Sequence, residues 1–303
     1  MKMLLKAGAA LTLALHPAAL FAQAQQAAPA PVQSVDADPA LWVVRDDDTT
    51  IYLLGTIHVL KPGLNWFDEA VRTAFDSSDE VVLEMVMPDV QKMQGLIQSM
   101  AINPTGPTLT DKLPADKRDA YARAVTGVGL PANAFDRFDP WFASTNLGLL
   151  PLLKLGYDPA QGVEQRITAA AQAAGKPVKG LETAEEQLGF FDKLPEAAQV
   201  GMLVSTVDQM DEFPQMVDTM VTSWSRGDPD RLATLMNDSL RDTPEVAKAL
   251  LNDRNERWAS WIEKRMAQPG VVFMAVGAGH LAGPDSVQAK LARLKIAATR
   301  VDY

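Results

Sequence analysis

The chain contains no cysteine among its 303 residues. Disulfide bonds therefore cannot stabilise it, even in an oxidising compartment, and the packing of its core must hold the fold. The absence also excludes a thiol nucleophile and a lipid anchor attached to cysteine. Hydrophobic residues make up 47% of the sequence, which is enough for a large core.

Basic residues are few relative to acidic ones. The 28 Lys and Arg residues face 38 Asp and Glu residues, so the net charge is -10. Proteins that bind nucleic acid need a basic surface against the phosphate backbone, and the sequence has no basic patch with interleaved aromatic residues. We therefore expect no nucleic acid partner.

Several common enzyme motifs are also missing. The sequence has no Gly-x-Ser-x-Gly elbow of a serine hydrolase and no phosphate-binding loop after a predicted strand. The turn Gly277-Ala278-Gly279 lacks the third glycine of a dinucleotide-binding fingerprint.

Long apolar runs are absent beyond the amino terminus. Residues 1–24 have the parts of an export signal, with Lys2 and Lys6 before an apolar stretch and Ala22-Gln23-Ala24 as a cleavage site. A membrane anchor is the alternative, but the apolar stretch is short for a bilayer span. Cleavage predicts a periplasmic or secreted protein without an integral membrane span. Residues 25–40, rich in Ala, Pro and Gln, then form a flexible leader.

Residues 41–303 suit a single α/β domain. Apolar runs at 41–44 and 51–54 flank a turn-forming segment and predict a β-hairpin. A helix over 66–75 and a strand over 79–85 follow, which is the order of a crossover unit in a parallel sheet. The remaining predicted elements are strands at 176–182, 271–276 and 296–301 and helices at 162–174 and 285–294.

Two long segments have helical patterns almost throughout. Residues 88–157 predict helices over about 90–101, 114–126 and 140–155. Residues 190–266 are helical apart from breaks at proline and glycine. We expect both to be helical insertions on a mixed, largely parallel central sheet.

Histidine is almost as scarce as cysteine. Of the 3 histidines, His16 lies in the predicted export signal, which leaves His58 and His280. Each follows an apolar run and stands three residues after a glycine. Ligand sites in α/β sheets gather at the carboxyl ends of strands, so we expect the two imidazoles to meet there with Glu84.

Two imidazoles and a carboxylate are a common ligand set for a catalytic divalent ion. We therefore predict a metal site formed by His58, Glu84 and His280, in which the ion activates water and polarises a carbonyl. The structural alternative stays open for each residue. A histidine after a strand is often a capping or core residue, and Glu84 can end a strand on a solvated edge.

Three further charged residues have both a functional and a structural interpretation. Glu164 opens a predicted helix, where interaction with the helix dipole is sufficient explanation. Glu182 ends a strand before the capping pattern Thr183-x-x-Glu186. Arg254 lies in a helix before the second Gly-x-x-His, where it binds a substrate carboxylate or pairs with acidic neighbours.

In this order, the motifs resemble the TraB/GumN family, which includes the TIKI proteins. The likeness spans residues 41–301 and is carried by Leu54-Gly55-Thr56-Ile57-His58, the strand with Glu84, Lys176-Pro177 before Leu181-Glu182-Thr183, Arg254-Asn255 with Trp258, and Val276-Gly277-Ala278-Gly279-His280-Leu281. It implies a mixed α/β fold related to erythromycin-esterase-like and ChaN-like proteins. In the TIKI branch it implies a metal-dependent peptidase whose histidines and acidic residue correspond here to His58, His280 and Glu84.

Together, these observations favour an exported metal-dependent hydrolase acting on a peptide or another small amide. The ion would be Mn, Co or Zn, since carboxylate and water ligands suit harder ions. Glu84, Glu164, Glu182 and Arg254 are the candidate catalytic residues, with Glu164 or Glu182 as general base and Arg254 orienting the substrate. The alternatives are a non-catalytic protein that binds a peptide or small ligand, and an accessory factor of an envelope or polysaccharide system. The sequence does not indicate an oligomeric state.

Overall fold

The structure, a computed structural model, describes residues 34–240 and 244–303, and the side chains of all of these except 236–240. The predicted export signal and residues 25–33 of the predicted leader lie outside the described residues, and both stay predictions. Residues 34–40, which we also assigned to the leader, are packed: Ala37 and Ala40 are buried. The folded part of the chain therefore begins before residue 41, contrary to the predicted boundary.

The strands form a two-stranded and a six-stranded sheet. The strands are β1 (Val35–Asp36), β2 (Leu41–Arg45), β3 (Thr49–Thr56), β4 (Leu64–Asn65), β5 (Glu80–Met85), β6 (Val178–Glu182), β7 (Gly270–Gly277) and β8 (Thr299–Arg300). Strands β1 and β4 pair in the small sheet, and the large sheet has the order β6-β5-β7-β3-β2-β8. Strands β6, β5, β7 and β3 are parallel, whereas β2 is antiparallel to both β3 and β8. This confirms the predicted hairpin and the mixed, largely parallel sheet.

The helices cover both faces of the large sheet and continue beyond it. They are α1 (Glu69–Ser77), α2 (Val90–Met100), α3 (Leu109–Lys112), α4 (Arg118–Gly127), α5 (Pro140–Lys154), α6 (Val163–Ala173), α7 (Ala184–Asp192), α8 (Glu196–Asp208), α9 (Phe213–Ser225), α10 (Pro229–Leu240), α11 (Pro244–Ala247), α12 (Asp253–Arg265) and α13 (Val287–Arg293). A π-helical turn, Lys248–Asn252, precedes α12.

Alternation along the central strands builds two cores, one on each face of the sheet. Leu54 and Phe273 pack with Phe75 of α1 and Ile167 of α6. The neighbouring residues Leu53 and Met274 belong to the opposite core, against Trp258 and Ile262 of α12 and Leu291 of α13. Successive side chains of a strand point to opposite faces, so these apolar runs are buried from both sides.

The two predicted helical insertions contribute helices α2 to α5 and α8 to α12. Part of each meets in a further core, where Leu147 of α5 packs near Leu203 of α8 and Tyr121 of α4. Among the helices of the described residues, none combines the length and apolar composition that a bilayer span requires.

Two predicted elements differ from the structure in extent. The predicted closing strand over 296–301 is only two residues long, because β8 pairs with β2 at Trp42 and Val43 alone. The crossover unit is also wider than predicted: β3 and β5 are parallel, but β7 from the end of the chain lies between them. Nothing in the local sequence reports such a long-range insertion.

Candidate functional site

Parallel pairing brings the carboxyl ends of β3, β5, β6 and β7 to one edge of the sheet. The register sets Thr56 opposite Gly277 and Met85 opposite Glu182. His58 follows β3 by two residues, and His280 lies in a short 3₁₀ turn directly after β7. Residues from four distant parts of the sequence therefore lie beside one another.

The glycines of both Gly-x-x-His motifs permit close approach of other groups. A Cβ atom on Gly55 would lie 3.1 Å from the Cα atom of Ala278, and one on Gly277 would lie 3.0 Å from Oε1 of Glu84. The backbone N–H of Gly277 donates to that same oxygen at 2.6 Å. A glycine in each position thus lets β3 pack against the second motif and lets Glu84 reach the backbone of β7.

His58 is held by a carboxylate although its side chain is 70% exposed. Its Nδ1 lies 2.6 Å from Oε1 of Glu164, and the hydroxyl of Thr56 donates to the same oxygen at 2.5 Å. The first turn of α6 supplies Glu164, and the N–H of Val163 donates to the carbonyl of Ile57 at 3.0 Å. A side chain on Gly162 would collide with the carbonyl oxygen of His58. The start of α6 is therefore packed directly beneath the histidine turn.

The charges of this pair support each other. The Glu164 carboxylate raises the pKa of His58 to about 9. Burial raises the pKa of Glu164, but the charge of His58 and the hydrogen bonds from His58 and Thr56 outweigh burial and keep the pKa below its ordinary value. The pair is therefore an imidazolium beside a carboxylate at neutral pH.

Arg254 of α12 occupies the centre of the remaining polar groups. Its Nη2 lies 2.5 Å from Oε2 of Glu84 and 2.7 Å from Oε2 of Glu182, and its Nε donates to Glu182 at 3.0 Å. Its Nη1 lies 3.0 Å from Nε2 of His280. The amide of Gln187 donates to both carboxylates at 3.1 Å. This buried guanidinium therefore joins the ends of β5 and β6 to the turn after β7.

His280 is buried and its tautomer is set by its neighbours. Its Nδ1 lies 2.5 Å from Oδ1 of Asn255, and the amide nitrogen of Asn255 donates to the carbonyl of Asp285 at 2.8 Å. Since that amide oxygen can only accept, Nδ1 carries the proton and Nε2 accepts from Arg254. The ring also packs on Trp258, with 4.3 Å between ring centroids.

Burial and the guanidinium determine the charge states in this cluster. Burial, together with the positive charge of Arg254, lowers the pKa of His280, which is therefore neutral. Burial raises the pKa of Glu84, but nearby groups that include Arg254 and the Gly277 N–H outweigh burial and lower the pKa to about 2, so the carboxylate is ionised. The cluster is thus a buried ion pair with a neutral imidazole beside it.

Part of this polar cluster lines one end of a cavity of about 660 Å³. His58, Glu84, Arg254 and the Gly-Ala-Gly-His turn contribute from the sheet edge. The other walls come from α5, α8, α9, α10, α11 and the π-helical turn, and they are largely apolar. A cavity of this size with a few polar groups at one end is typical of a binding site for a small molecule.

Comparison with known proteins places the chain in a family. The sequence model of the TraB/PrgY/gumN family matches residues 40–300. The chain belongs to this family. The match covers all the motifs that carried the resemblance and confirms it.

Similar proteins occur in two named bacteria. An uncharacterized protein of Treponema pallidum (strain Nichols) is 21% identical over 268 residues, which cover 81% of this chain and 78% of that protein. The uncharacterized protein YbaP of Escherichia coli (strain K12) is 22% identical over 253 residues, which cover 82% of this chain and 90% of YbaP. No solved structure matches the chain. The relation of this TraB/PrgY/gumN member to erythromycin-esterase-like and ChaN-like folds therefore stays a prediction.

In this TraB/PrgY/gumN chain, the structure brings His58, Glu84 and His280 to one cavity, as predicted from the sequence. It gives Glu164 a specific partner, the ring of His58, beyond any interaction with the helix dipole. Glu182 is buried and bound by Arg254, so its geometry suits holding that arginine rather than removing a proton from water. The capping box predicted at Thr183 is also present.

Three positioning residues were not recognised from the sequence. Thr56 and Asn255 lie inside motifs quoted for the family resemblance, but nothing local indicated their hydrogen bonds. Gln187 lies on α7 and reaches Glu84 and Glu182 only because α7 follows β6 directly. A polar residue at a fixed offset from a strand end is the sequence signal for such groups.

The metal implied by the TIKI branch does not fit the residues as they are arranged. Within the described residues, no group of three or more His, Cys, Asp or Glu side chains is placed to hold a metal ion. The guanidinium of Arg254 lies at 3.0 Å from Nε2 of His280 and at 2.5 Å from Glu84, where an ion would bind. An ion and this cation cannot share those atoms unless Arg254 moves. The metal stays an untested prediction.

Proposed function

We propose that the protein hydrolyses an ester or amide bond in this cavity, with His58 transferring protons and Glu164 orienting its ring. The observation that carries the proposal is the His58–Glu164 pair, in which an exposed imidazole at a cavity is held at Nδ1 by a largely buried carboxylate at 2.6 Å. A carboxylate on one ring nitrogen fixes the tautomer and leaves the other nitrogen for the reaction.

The proposed reaction needs water alone as co-reactant. Nε2 of His58 takes a proton from water while the water oxygen adds to the carbonyl carbon. The bond to the leaving oxygen or nitrogen then breaks, and His58 returns the proton to the leaving group. Glu164 stabilises the imidazolium between these steps. Since the pKa of His58 is raised to about 9, its base form is the minor species at neutral pH.

A metal-dependent form of the same hydrolase is the second candidate. It is supported by the family resemblance and by the presence of His58, Glu84 and His280 at one cavity. A bound Mn, Co or Zn ion would supply an activated water and polarise the carbonyl. This form requires Arg254 to leave His280, and we derive no step from it. A peptide substrate and export from the cell likewise stay proposals.

A protein that binds a ligand without turnover is the alternative from another class. It is favoured by the observation that Arg254, Glu84 and Glu182 satisfy one another, which leaves His58 as the exposed reactive group at the sheet edge. Only a measurement of turnover separates the two.

The test compares the wild-type protein with His58→Ala and Glu164→Gln variants on p-nitrophenyl esters and peptide p-nitroanilides. We expect His58→Ala to lower kcat/KM by about 10²–10⁴-fold, since that is the usual contribution of a general acid–base residue. Glu164→Gln should cause a smaller loss, because the amide keeps a hydrogen bond to the ring but not its charge. Gln98→Ala, an exposed position on α2, is the control. Unchanged turnover in His58→Ala would disprove the proposal, and ligand binding without any wild-type turnover would favour the binding protein.

A further inference from the structure

The apolar part of the cavity is lined mainly by helices of the insertions. Its side chains include Leu149 and Leu152 of α5, Met202 of α8, and Phe213, Met216 and Met220 of α9. Methionine side chains are unbranched and flexible, so this wall can adapt to an apolar group of many conformations.

The polar side chains of the same wall already have partners within it. The hydroxyls of Ser144 and Thr206 lie 2.8 Å apart, and Thr145 donates to the carbonyl of Phe142 at 3.0 Å. The amide of Gln209 donates to Ser205 at 3.0 Å. These bonds join two wall helices to each other or tie a side chain to its own helix. The polar groups of this wall therefore bind one another and are not arranged to bind a polar ligand.

A buried peptide would be poorly accommodated by such a wall. Each peptide unit carries an N–H and a C=O that must be hydrogen-bonded, and burying either without a partner costs about 1–3 kcal/mol. The wall helices use their own backbone groups internally, and the strand ends and turns that line the cavity, at 56–59, 84 and 277–280, lie at its polar end. A hydrocarbon chain has no groups that need hydrogen-bond partners, and burying its apolar surface is favourable.

The polar end of the cavity favours an uncharged head group. Arg254 is bound by Glu84 and Glu182, so its charge is compensated before any ligand arrives. His58 is similarly paired with Glu164. A free carboxylate would lie close to three acidic side chains, whereas a neutral ester or amide carbonyl would not be repelled.

We infer that the cavity takes a straight apolar chain, such as the fatty acyl group of a neutral ester or amide, with its carbonyl near His58. This inference deepens the proposed hydrolase function, and it rests on that function only for the claim that the bound ester or amide is hydrolysed. That an apolar ligand chain binds in the cavity is a separate claim, and a binding measurement alone can test it.

The chain offers a matched pair of glycines for that test. Gly148 of α5 lines the cavity, and a Cβ atom there would meet only Phe213, at 3.9 Å. Gly201 of α8 is exposed, and a Cβ atom there would have no heavy atom within 4 Å. Gly148→Leu should fill the cavity without straining the backbone, and Gly201→Leu serves as the control.

Binding is measured by isothermal titration with hexadecanamide and with acetamide, and turnover with p-nitrophenyl decanoate and acetate. We expect wild type and Gly201→Leu to bind hexadecanamide at least 10-fold more tightly than acetamide. Gly148→Leu should weaken binding of hexadecanamide by at least 10-fold, and should lower kcat/KM for the decanoate by at least 10-fold more than for the acetate.

The outcomes separate the two claims. Chain-dependent binding that Gly148→Leu abolishes, without turnover of any ester, supports the inference and disproves the hydrolase. Turnover of both esters with no dependence on chain length or on Gly148→Leu retains the hydrolase and overturns the inference. The inference also fails if an apolar heptapeptide binds at this site and hexadecanamide does not.

Discussion

Arg254 is the side chain on which the geometry of the candidate site depends. It is buried, bridges Glu84 and Glu182, and packs on Trp258 with 4.7 Å from its guanidinium carbon to the ring centroid. Removing one partner of a buried ion pair typically costs about 3–5 kcal/mol, because the other charge is left buried and alone. The position of Arg254 also determines whether Nε2 of His280 is free to bind a metal ion.

The position of Arg254 leads to a prediction about metal binding. We expect wild-type protein incubated with Mn, Co or Zn and then desalted to hold no stoichiometric ion, as measured by mass spectrometry of the metal content. Arg254→Gln frees Nε2 of His280 and both carboxylates, and should bind such ions more tightly if it remains folded. Arg257→Gln is the control, since Arg257 also binds Glu182 but is half exposed.

A contrary result would restore the metal-dependent mechanism. Stoichiometric uptake by wild type that is lost in both His58→Ala and His280→Ala would show that Arg254 moves aside for an ion.

At the scale of elements, the parallel strands are joined by charge as well as by backbone pairing. Glu80 at the start of β5 accepts a hydrogen bond from Arg265 of α12 at 3.1 Å and pairs with Lys179 of β6. These contacts lie at the end of the sheet opposite the candidate site. They connect α12, which carries Arg254, to two of the strands that form the site.

The environment of Glu80 leads us to expect that the stability of the fold depends on pH. Burial raises its pKa, but the hydrogen bonds and charges of Lys179 and Arg265 outweigh burial and hold the pKa below its ordinary value. A depressed pKa contributes stability above the unfolded-state pKa of about 4.3, and that stability is lost as the pH falls through the folded-state value.

We therefore expect Glu80→Gln to lower the free energy of unfolding by about 1–2 kcal/mol at pH 7, since charge-assisted hydrogen bonds are lost. The difference from wild type should shrink as the pH falls below about 4.3. Urea unfolding followed by circular dichroism at several pH values measures it, with Glu263→Gln, exposed on α12, as the control. A difference that stays constant over this range would contradict the assignment.

For the whole molecule, the segment before β2 is part of the fold. The N–H of Ala37 donates to the carbonyl of Asn65 at 3.0 Å, and that of Asp38 donates to Ser225 of α9 at 2.8 Å. At the other end of the chain, the hydroxyl of Tyr303 donates to the carbonyl of Pro39 at 2.7 Å. The segment therefore ties β4, α9 and the carboxyl terminus together.

This predicts where the chain can be shortened. A protein beginning at residue 41 should be less stable than one beginning at residue 34 by about 2 kcal/mol or more, because hydrogen bonds of about 1 kcal/mol each are lost together with the burial of Ala37. Urea unfolding midpoints of the two proteins measure the difference. Equal midpoints would mean that residues 34–40 contribute nothing to the folded state.

The sequence alone was sufficient for features that depend on local pattern. Apolar runs and turn chemistry predicted β2, β3, β5, β6 and β7, and helical spacing predicted α5 and α6 within a few residues. The Gly-x-x-His motifs and Glu84 lie near the ends of predicted strands, which gather at one edge of an α/β sheet, and these residues do line one cavity. The family was also recognisable from these motifs, and the family match confirms it.

Only the tertiary structure decided how those residues are used. The order of the sheet, with β7 between β3 and β5, depends on pairing between residues 221 apart, Thr49 with Gly270, and 192 apart, Glu80 with Val272. That pairing lets Arg254 reach Glu84, Glu182 and His280 at once. The packing of the start of α6 under the turn that carries His58 sets Glu164 against His58. Side-chain hydrogen bonds form or break with changes of a few tenths of an ångström in the distance between donor and acceptor, and no residue pattern specifies positions that finely. The sequence therefore determined which groups meet, and the packing of the whole chain decided that an arginine stands between them.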